Sequence, residues 1–428
     1  MHKLAKFKLR RPYQLVATLL IGSVITVALA VLLGLAIPAE AQDGQDLYLP
    51  VINKELPPAA VADYVLLGWN DLGMHCYNRD FQDLGVLPPY NTLWAQVIKR
   101  GNPPVIMTDT ITVTFRFPDN TYSVGKSNFW TYAKQLFGVD LAPDMGLAGF
   151  GLSGDMEAKA DHFVAEGIPL TEFSDSNPAL RDPYQLAELV ALDAGGKVLA
   201  QNTVVAPVST EMRCDNCHND GGVEGIRTGR VETNILTLHD EENAEEYPAG
   251  HTGRLMDRRP VLCAECHSSN ALNAPGVSGL PNLSKAMHSK HADKVAQTTD
   301  GCYNCHPGPT TKCLRDVMSA QHGMTCVDCH GTMEKVAENK NPWLNEPRCD
   351  DCHEEPQYAQ DQPLYRMSTG HGGVRCEGCH DSTHAIATSS EERDAIKFVN
   401  LQGTKGTLSS CLVCHTTMPA GDSPHSTR

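Results

Sequence analysis

The first 75 residues contain no cysteine, so no N-terminal cysteine is available for lipid attachment. Basic charge is also scarce. Lys and Arg number 35 against 51 Asp and Glu, a formal net charge of −16. A chain this acidic does not seek nucleic acid or an anionic membrane surface, and suits basic protein partners or positively charged mineral faces. From Thr210 onward long apolar runs are missing, and Gly, Pro, Asn, Asp and Ser punctuate the chain every few residues. Composition alone gives that half little with which to build a core.

What is present there is a repeated pattern. Cys-x-x-Cys-His occurs seven times, through Cys214 and Cys217, Cys263 and Cys266, Cys302 and Cys305, Cys326 and Cys329, Cys349 and Cys352, Cys376 and Cys379, and Cys411 and Cys414. The closing histidines are His218, His267, His306, His330, His353, His380 and His415. This is the pattern of c-type haem attachment. Two thiols reach two vinyl groups on one porphyrin edge, and the next imidazole turns onto the iron as proximal ligand. A zinc ribbon pairs Cys-x-x-Cys units without a histidine always in the fifth place. A disulfide framework varies its spacings. Haem c is therefore the expected cofactor, seven per chain. Porphyrin faces then supply the missing apolar surface, and thioether bonds staple the chain to them. The motifs are unevenly separated, which suits a haem chain and not a regular solenoid.

Seven irons have seven distal faces. The same half holds His239, His251, His288, His291, His322, His371 and His384 outside the motifs, so supply matches demand and these are the distal candidates. Met287, Met318, Met324 and Met367 compete but are not needed, and read as packing against porphyrin. His425 lies in the tail, where order is uncommon. Iron held by two protein nitrogens has no room for substrate and can only change oxidation state. No motif has a Lys in place of its His, so no altered proximal ligand marks a catalytic haem. The expectation is an electron carrier and not a substrate-converting enzyme. Two sixteenths of the cysteines, Cys76 and Cys313, fall outside the motifs. Outside the cytoplasm a free thiol is uncommon, so a Cys76–Cys313 disulfide is expected. His75, beside Cys76, is a further candidate ligand reaching from the N-terminal half.

Residues 1–14 carry Lys3, Lys6, Lys8, Arg10 and Arg11, followed by the apolar run "LVATLLIGSVITVALAVLLGLAIP" and Ala39-Glu40-Ala41. Residues 1–41 thus read as a secretory signal peptide. The run is long enough to span a bilayer, so an uncleaved anchor is the alternative and the one expected membrane contact. Residues 42–62 read as a linker. Residues 63–209 lack the motif and read as a haem-free, β-rich α+β domain. "ITVTFRF" (111–117) alternates as a strand does, and "NFWTYAKQLFG" (128–138) has helical spacing up to a glycine. "AELVALDAGGKVLAQNTVVAPV" (187–208) folds back at "DAGGK" as a hairpin. Residues 210–428 read as a seven-haem domain of loops and short helices with little sheet. Its acidic "DEENAEE" (240–246) reads as a solvated loop. The whole is expected to be α+β.

On these motifs, the last half of the chain resembles multihaem c-type cytochromes of bacterial periplasms and cell surfaces. "LGWNDLGMHC…PPYNTLWAQVI" and the junction "APVSTEMRCDNCH" resemble the leading domain of multihaem cytochromes from environmental bacteria. The resemblance implies electron transfer with redox partner proteins or an external acceptor, in the periplasm, at the cell surface or outside the cell. Some such proteins form homo-oligomers or filaments. Two other readings stay open, a reductase of a small oxyanion with one open haem, and a filament subunit. Intact-mass measurement of the exported product is expected to show seven added haem masses, and an unmodified polypeptide mass would end the reading.

Overall fold

The computed structural model describes residues 62–339, 341, 344–420 and 424–426. The expected signal peptide, and the linker up to residue 61, lie outside the described residues. Residues Val61–Arg428 make one compact unit. Strands and helices are both present, so the class is α+β.

The strands are β1 (Tyr64–Asn70), β2 (His75–Cys76), β3 (Leu84–Gly85), β4 (Thr92–Lys99), β5 (Val105–Met107), β6 (Ile111–Arg116), β7 (Ser153–Asp155), β8 (Glu157–Ala158), β9 (Phe163–Glu166), β10 (Tyr184–Asp193), β11 (Val198–Ser209) and β12 (Val261–Leu262). One sheet runs β1-β4-β9-β8, with β5 also on β4. The other runs β2-β11-β10-β6-β7. The β10–β11 hairpin turns through Asp193–Lys197, whose Asp193 Oδ1 accepts from the Gly195 and Lys197 amides at 2.9 Å. β3 pairs in parallel with β12, the one strand of the described haem-motif half.

The sheets stack with β1 across β11. Gly68 permits this approach, since a Cβ there would stand 2.3 Å from Leu189 Cδ1 and 3.0 Å from Val204 Cγ1. Between the sheets lie Leu66, Phe115, Phe117, Phe129, Phe163 and Leu189, all buried. Each contributes roughly 1.5–3 kcal/mol by leaving water. Helix α1 (Phe129–Phe137) closes one end, burying Phe129, Ala133 and Leu136 on one stripe. It stops at Gly138, whose φ of 71° and amide bond to the Lys134 carbonyl form a left-handed cap.

Strand β1 is buried on both faces. Leu66 points into the sandwich, while Val65, Leu67 and Trp69 point the other way. That second face is covered by Val374, Leu401, Leu408 and Val413 from the C-terminal half. A strand apolar on both sides reads in sequence as a continuous run, as "YVLLGW" does.

The C-terminal half is loops and single turns around three longer helices, α2 (Val231–Asn243), α3 (Leu283–His291) and α4 (Ile396–Gln402). Leu236 of α2 packs with Leu84, Leu255 and Val261. Arg230, just before α2, pairs with Asp80 and Asp83, and Arg259 also reaches Asp83. The acidic stretch 240–246 is solvated over Glu241, Glu242 and Ala244–Glu246, as its composition suggested, but it is helical and not a loop, and Asp240 is buried. The stretch forms the end of α2 and a following 3-10 turn, Ala244–Glu246. Asp240 is buried because its carboxylate accepts from the Leu255 and Met256 amides and from Tyr247 Oη.

Arg315 and Asp394 form a bidentate pair at 2.7 and 3.0 Å, both almost fully buried, with Tyr184 over the guanidinium. Removing one partner leaves an uncompensated charge in the interior. Asp394→Ala is expected to lower unfolding free energy by roughly 3–5 kcal/mol in denaturant titration. Replacing both, as Arg315→Met with Asp394→Leu, should cost less than the single change.

Candidate functional site

Every Cys-x-x-Cys-His motif closes one helical turn. The histidine amide bonds back to the first cysteine's carbonyl at 2.8 Å in His218, 3.0 Å in His267, and 2.9 Å in His306, His353 and His415. Cys326–His330 and Cys376–His380 are α-helical throughout. Positions i, i+3 and i+4 of a helical turn share one face, so each motif presents two thiols and an imidazole together. None of the sixteen cysteines is disulfide-bonded.

Six motif histidines each stand beside a second histidine. The pairs are His218 with His291 (ring centres 6.2 Å apart), His267 with His239 (6.4 Å), His306 with His288 (6.1 Å), His330 with His384 (6.1 Å), His415 with His371 (5.9 Å) and His380 with His425 (5.7 Å). Two imidazoles sharing one metal ion through Nε2 hold their centres roughly 6 Å apart, from two bonds of about 2 Å and the ring radii. Among the described residues no group of three or more His, Cys, Asp or Glu gathers as a metal site. Haem iron takes four nitrogens from its porphyrin and asks the protein for two ligands. The donor set therefore fits haem. At the fourth motif a cleft of about 320 Å³ opens against Cys329 and His330, bounded by Lys335, Asn339, Glu346 and Asp351.

In several of these histidines Nδ1 has a partner. Nδ1 donates to a backbone carbonyl in His267 (Pro281, 2.8 Å), His288 (Ser284, 2.8 Å) and His291 (Met287, 2.7 Å). A carbonyl only accepts, so Nδ1 carries the proton and Nε2 keeps its lone pair available for a metal. The Asn102 amide meets His415 Nδ1 at 3.1 Å, and Cys313 Sγ lies 3.9 Å from His384 Nδ1.

Electrostatics favour neutral imidazoles and unreactive thiols. Burial lowers His380 to about 4 and His384 to about 3. His306 keeps part of its surface exposed, and desolvation with the neighbouring His288 and His330 lowers it to about 4. Burial raises Cys214, Cys263 and Cys414 to about 11 and Cys379 to about 12. A redox dithiol needs the opposite shift. Cys326 is the exception, lowered to about 6 by a hydrogen bond with Cys302, whose own pKa the contact raises. Within the sixth motif Glu377 is fully buried and its carboxyl is pushed well up by burial. Lys397 Nζ donates to the Glu377 backbone carbonyl at 3.1 Å and to Asp381 Oδ1 at 2.9 Å.

The motifs adjoin one another. Asn234 of α2 donates to the His218 carbonyl, and His239 of the same helix faces His267. Helix α3 gives His291 to the first motif and His288 to the third. Cys302 touches Cys326, and Cys352 lies within electrostatic reach of Cys329, as Cys414 does of Cys379. Tyr358 bridges His353 to His425, the partner of His380. The resulting series is second, first, third, fourth, fifth, sixth, seventh.

Not every distal candidate is brought to a motif histidine. His251 packs on Tyr247 at 4.3 Å, with Nε2 3.1 Å from the Gly253 carbonyl, and His239 takes the place facing His267. His322 is exposed at the end of the helix Val317–His322, and His384 takes the place facing His330. His75 is turned to Asp71 at 2.8 Å. His425 faces His380 although its terminal position argued against it. The signal was its place in the short segment following the last motif, close enough in chain to fold back. Cys76 and Cys313 are free thiols, not the disulfide expected. Cys313 is directed at His384 and Cys76 is held in β2, and burial raises them to about 12 and about 11.

No family model, curated protein or solved structure matches this chain.

Cys76 and Cys313 should resist iodoacetamide in the native protein and alkylate in guanidinium without reductant. A requirement for reductant before alkylation would show a disulfide.

Proposed function

We propose that the chain is an exported multihaem c-type cytochrome that carries electrons along covalently bound haems. The observation that carries this reading is the set of six histidine pairs spaced for one metal ion each. The fourteen motif cysteines would hold the haems by thioether bonds. His218, His267, His306, His330, His353, His380 and His415 would be proximal ligands. His291, His239, His288, His384, His425 and His371 would be distal ligands in the same order, with none assigned to His353. Each haem, when bound, supplies one reversible Fe(III)/Fe(II) electron.

The chain's own residues make such centres conductors. Nitrogen on both sides excludes substrate from six irons. In His267, His288 and His291 backbone carbonyls fix the ligating tautomer and hold the ring in place as charge on the iron changes. The adjoining order of the motifs gives a continuous run of centres without a gap. An acidic surface favours basic redox proteins as partners, or a positively charged external acceptor. The motifs and the N-terminal run together favour the periplasm or cell surface.

The oxidised protein is expected to show low-spin bis-histidine signals from six haems in electron paramagnetic resonance. His384→Ala should convert one of those six to high spin and leave five. A spectrum dominated by high-spin iron in the parent protein would end the carrier reading.

A further inference from the structure

His353 stands apart from the other motif histidines. Its ring neighbour is Tyr358, with centres 5.7 Å apart at 63°. A phenol oxygen lies beyond its own ring, so an iron between the two would hold their centres about 7 Å apart or more. Tyr358 therefore packs on the imidazole and does not face it across a metal. Its other side meets His425 at 5.4 Å, and that ring is committed to His380. Among the described residues no histidine ring contacts His353. The motif is also open to solvent, with Asp351, Cys352, His353, Glu354 and Glu355 all exposed.

We propose, building on the haem reading above, that the haem attached through Cys349 and Cys352 has His353 as its one protein ligand and binds a small neutral ligand, of the carbon monoxide or imidazole kind, on its other face. Charge sets the class of ligand. Asp350, Asp351, Glu354 and Glu355 flank the histidine in sequence. The nearest cation in sequence, Arg348, is committed to Asp350 through two bonds of 2.9 and 3.0 Å. Such a surround repels anions, so nitrite and other oxyanions are poor ligands here. This haem is a port for uncharged ligands within an otherwise closed series.

The test uses the full-length protein with its haems counted by intact mass. One ferric haem in seven should be high spin, and imidazole should convert it to low spin with one site per chain. The reduced protein should bind one carbon monoxide per chain. Fluoride, an anion, should bind the ferric protein weakly. Glu354→Gln with Glu355→Gln should tighten fluoride about threefold and leave carbon monoxide at one per chain. Seven low-spin haems with no carbon monoxide uptake would overturn the proposal while leaving the carrier intact. High-spin iron that appears only when an oligomer is diluted would also overturn it, because a second copy would then supply the sixth ligand. Unchanged fluoride affinity in the double variant would remove the assignment from His353. Absence of haem mass would instead overturn the reading on which the proposal rests.

Discussion

Pairs of imidazoles with centres about 6 Å apart are the constraint around which residues 210–428 are arranged. Each pair closes a loop, short for His239 with His267 and longer for His218 with His291. Closing loops and fixing backbone costs conformational entropy. Few apolar side chains of this half are buried to offset it, and three of them, Leu236, Leu255 and Val261, pack with Leu84 of the N-terminal half. In the proposed cytochrome the offset comes from porphyrin burial, thioether bonds and two nitrogen ligands per iron.

The segment before the first motif is a platform for the last two motifs. Val65, Leu67 and Trp69 turn away from their own sandwich to receive Val374, Leu401 and Val413. Arg100 Nη2 donates to the Leu412 and His415 carbonyls at 2.7 and 3.1 Å. Gln96 accepts from the Arg375 amide at 2.9 Å. At the other end, Asp83 holds Arg230 and Arg259 and so fixes the approach to α2 and to the second motif. The N-terminal sandwich thus sets where His371, His380 and His415 stand without contributing a motif of its own.

Local features were legible in the sequence, and long-range ones were not. "ITVTFRF" alternates because one face of β6 packs inward, and "NFWTYAKQLFG" ends at the glycine that caps α1. "DAGGK" marks the β10–β11 turn. Motif positions follow from spacing alone. Which histidine opposes which does not, because the path of the chain decides it. His425 folds back to His380 from the tail, while His322, four residues before Cys326, is left in solvent. Composition also misleads at Asp240, whose burial depends on amides fifteen and sixteen residues further on. The matched count of motif and spare histidines hid the fact that two of the spares, His251 and His322, stay away from the motif histidines while His425 takes a place beside one.

Helix α3 carries His288 and His291 one turn apart, each pointed at a different motif, and each with Nδ1 tied to a carbonyl of the same helix. Neither ring can be withdrawn, tilted or lengthened from its place without moving the rod that bears the other. The two centres so joined form a mechanically geared couple. Strain introduced at one would be transmitted to its neighbour through nine residues of backbone, with no charge transfer needed between them.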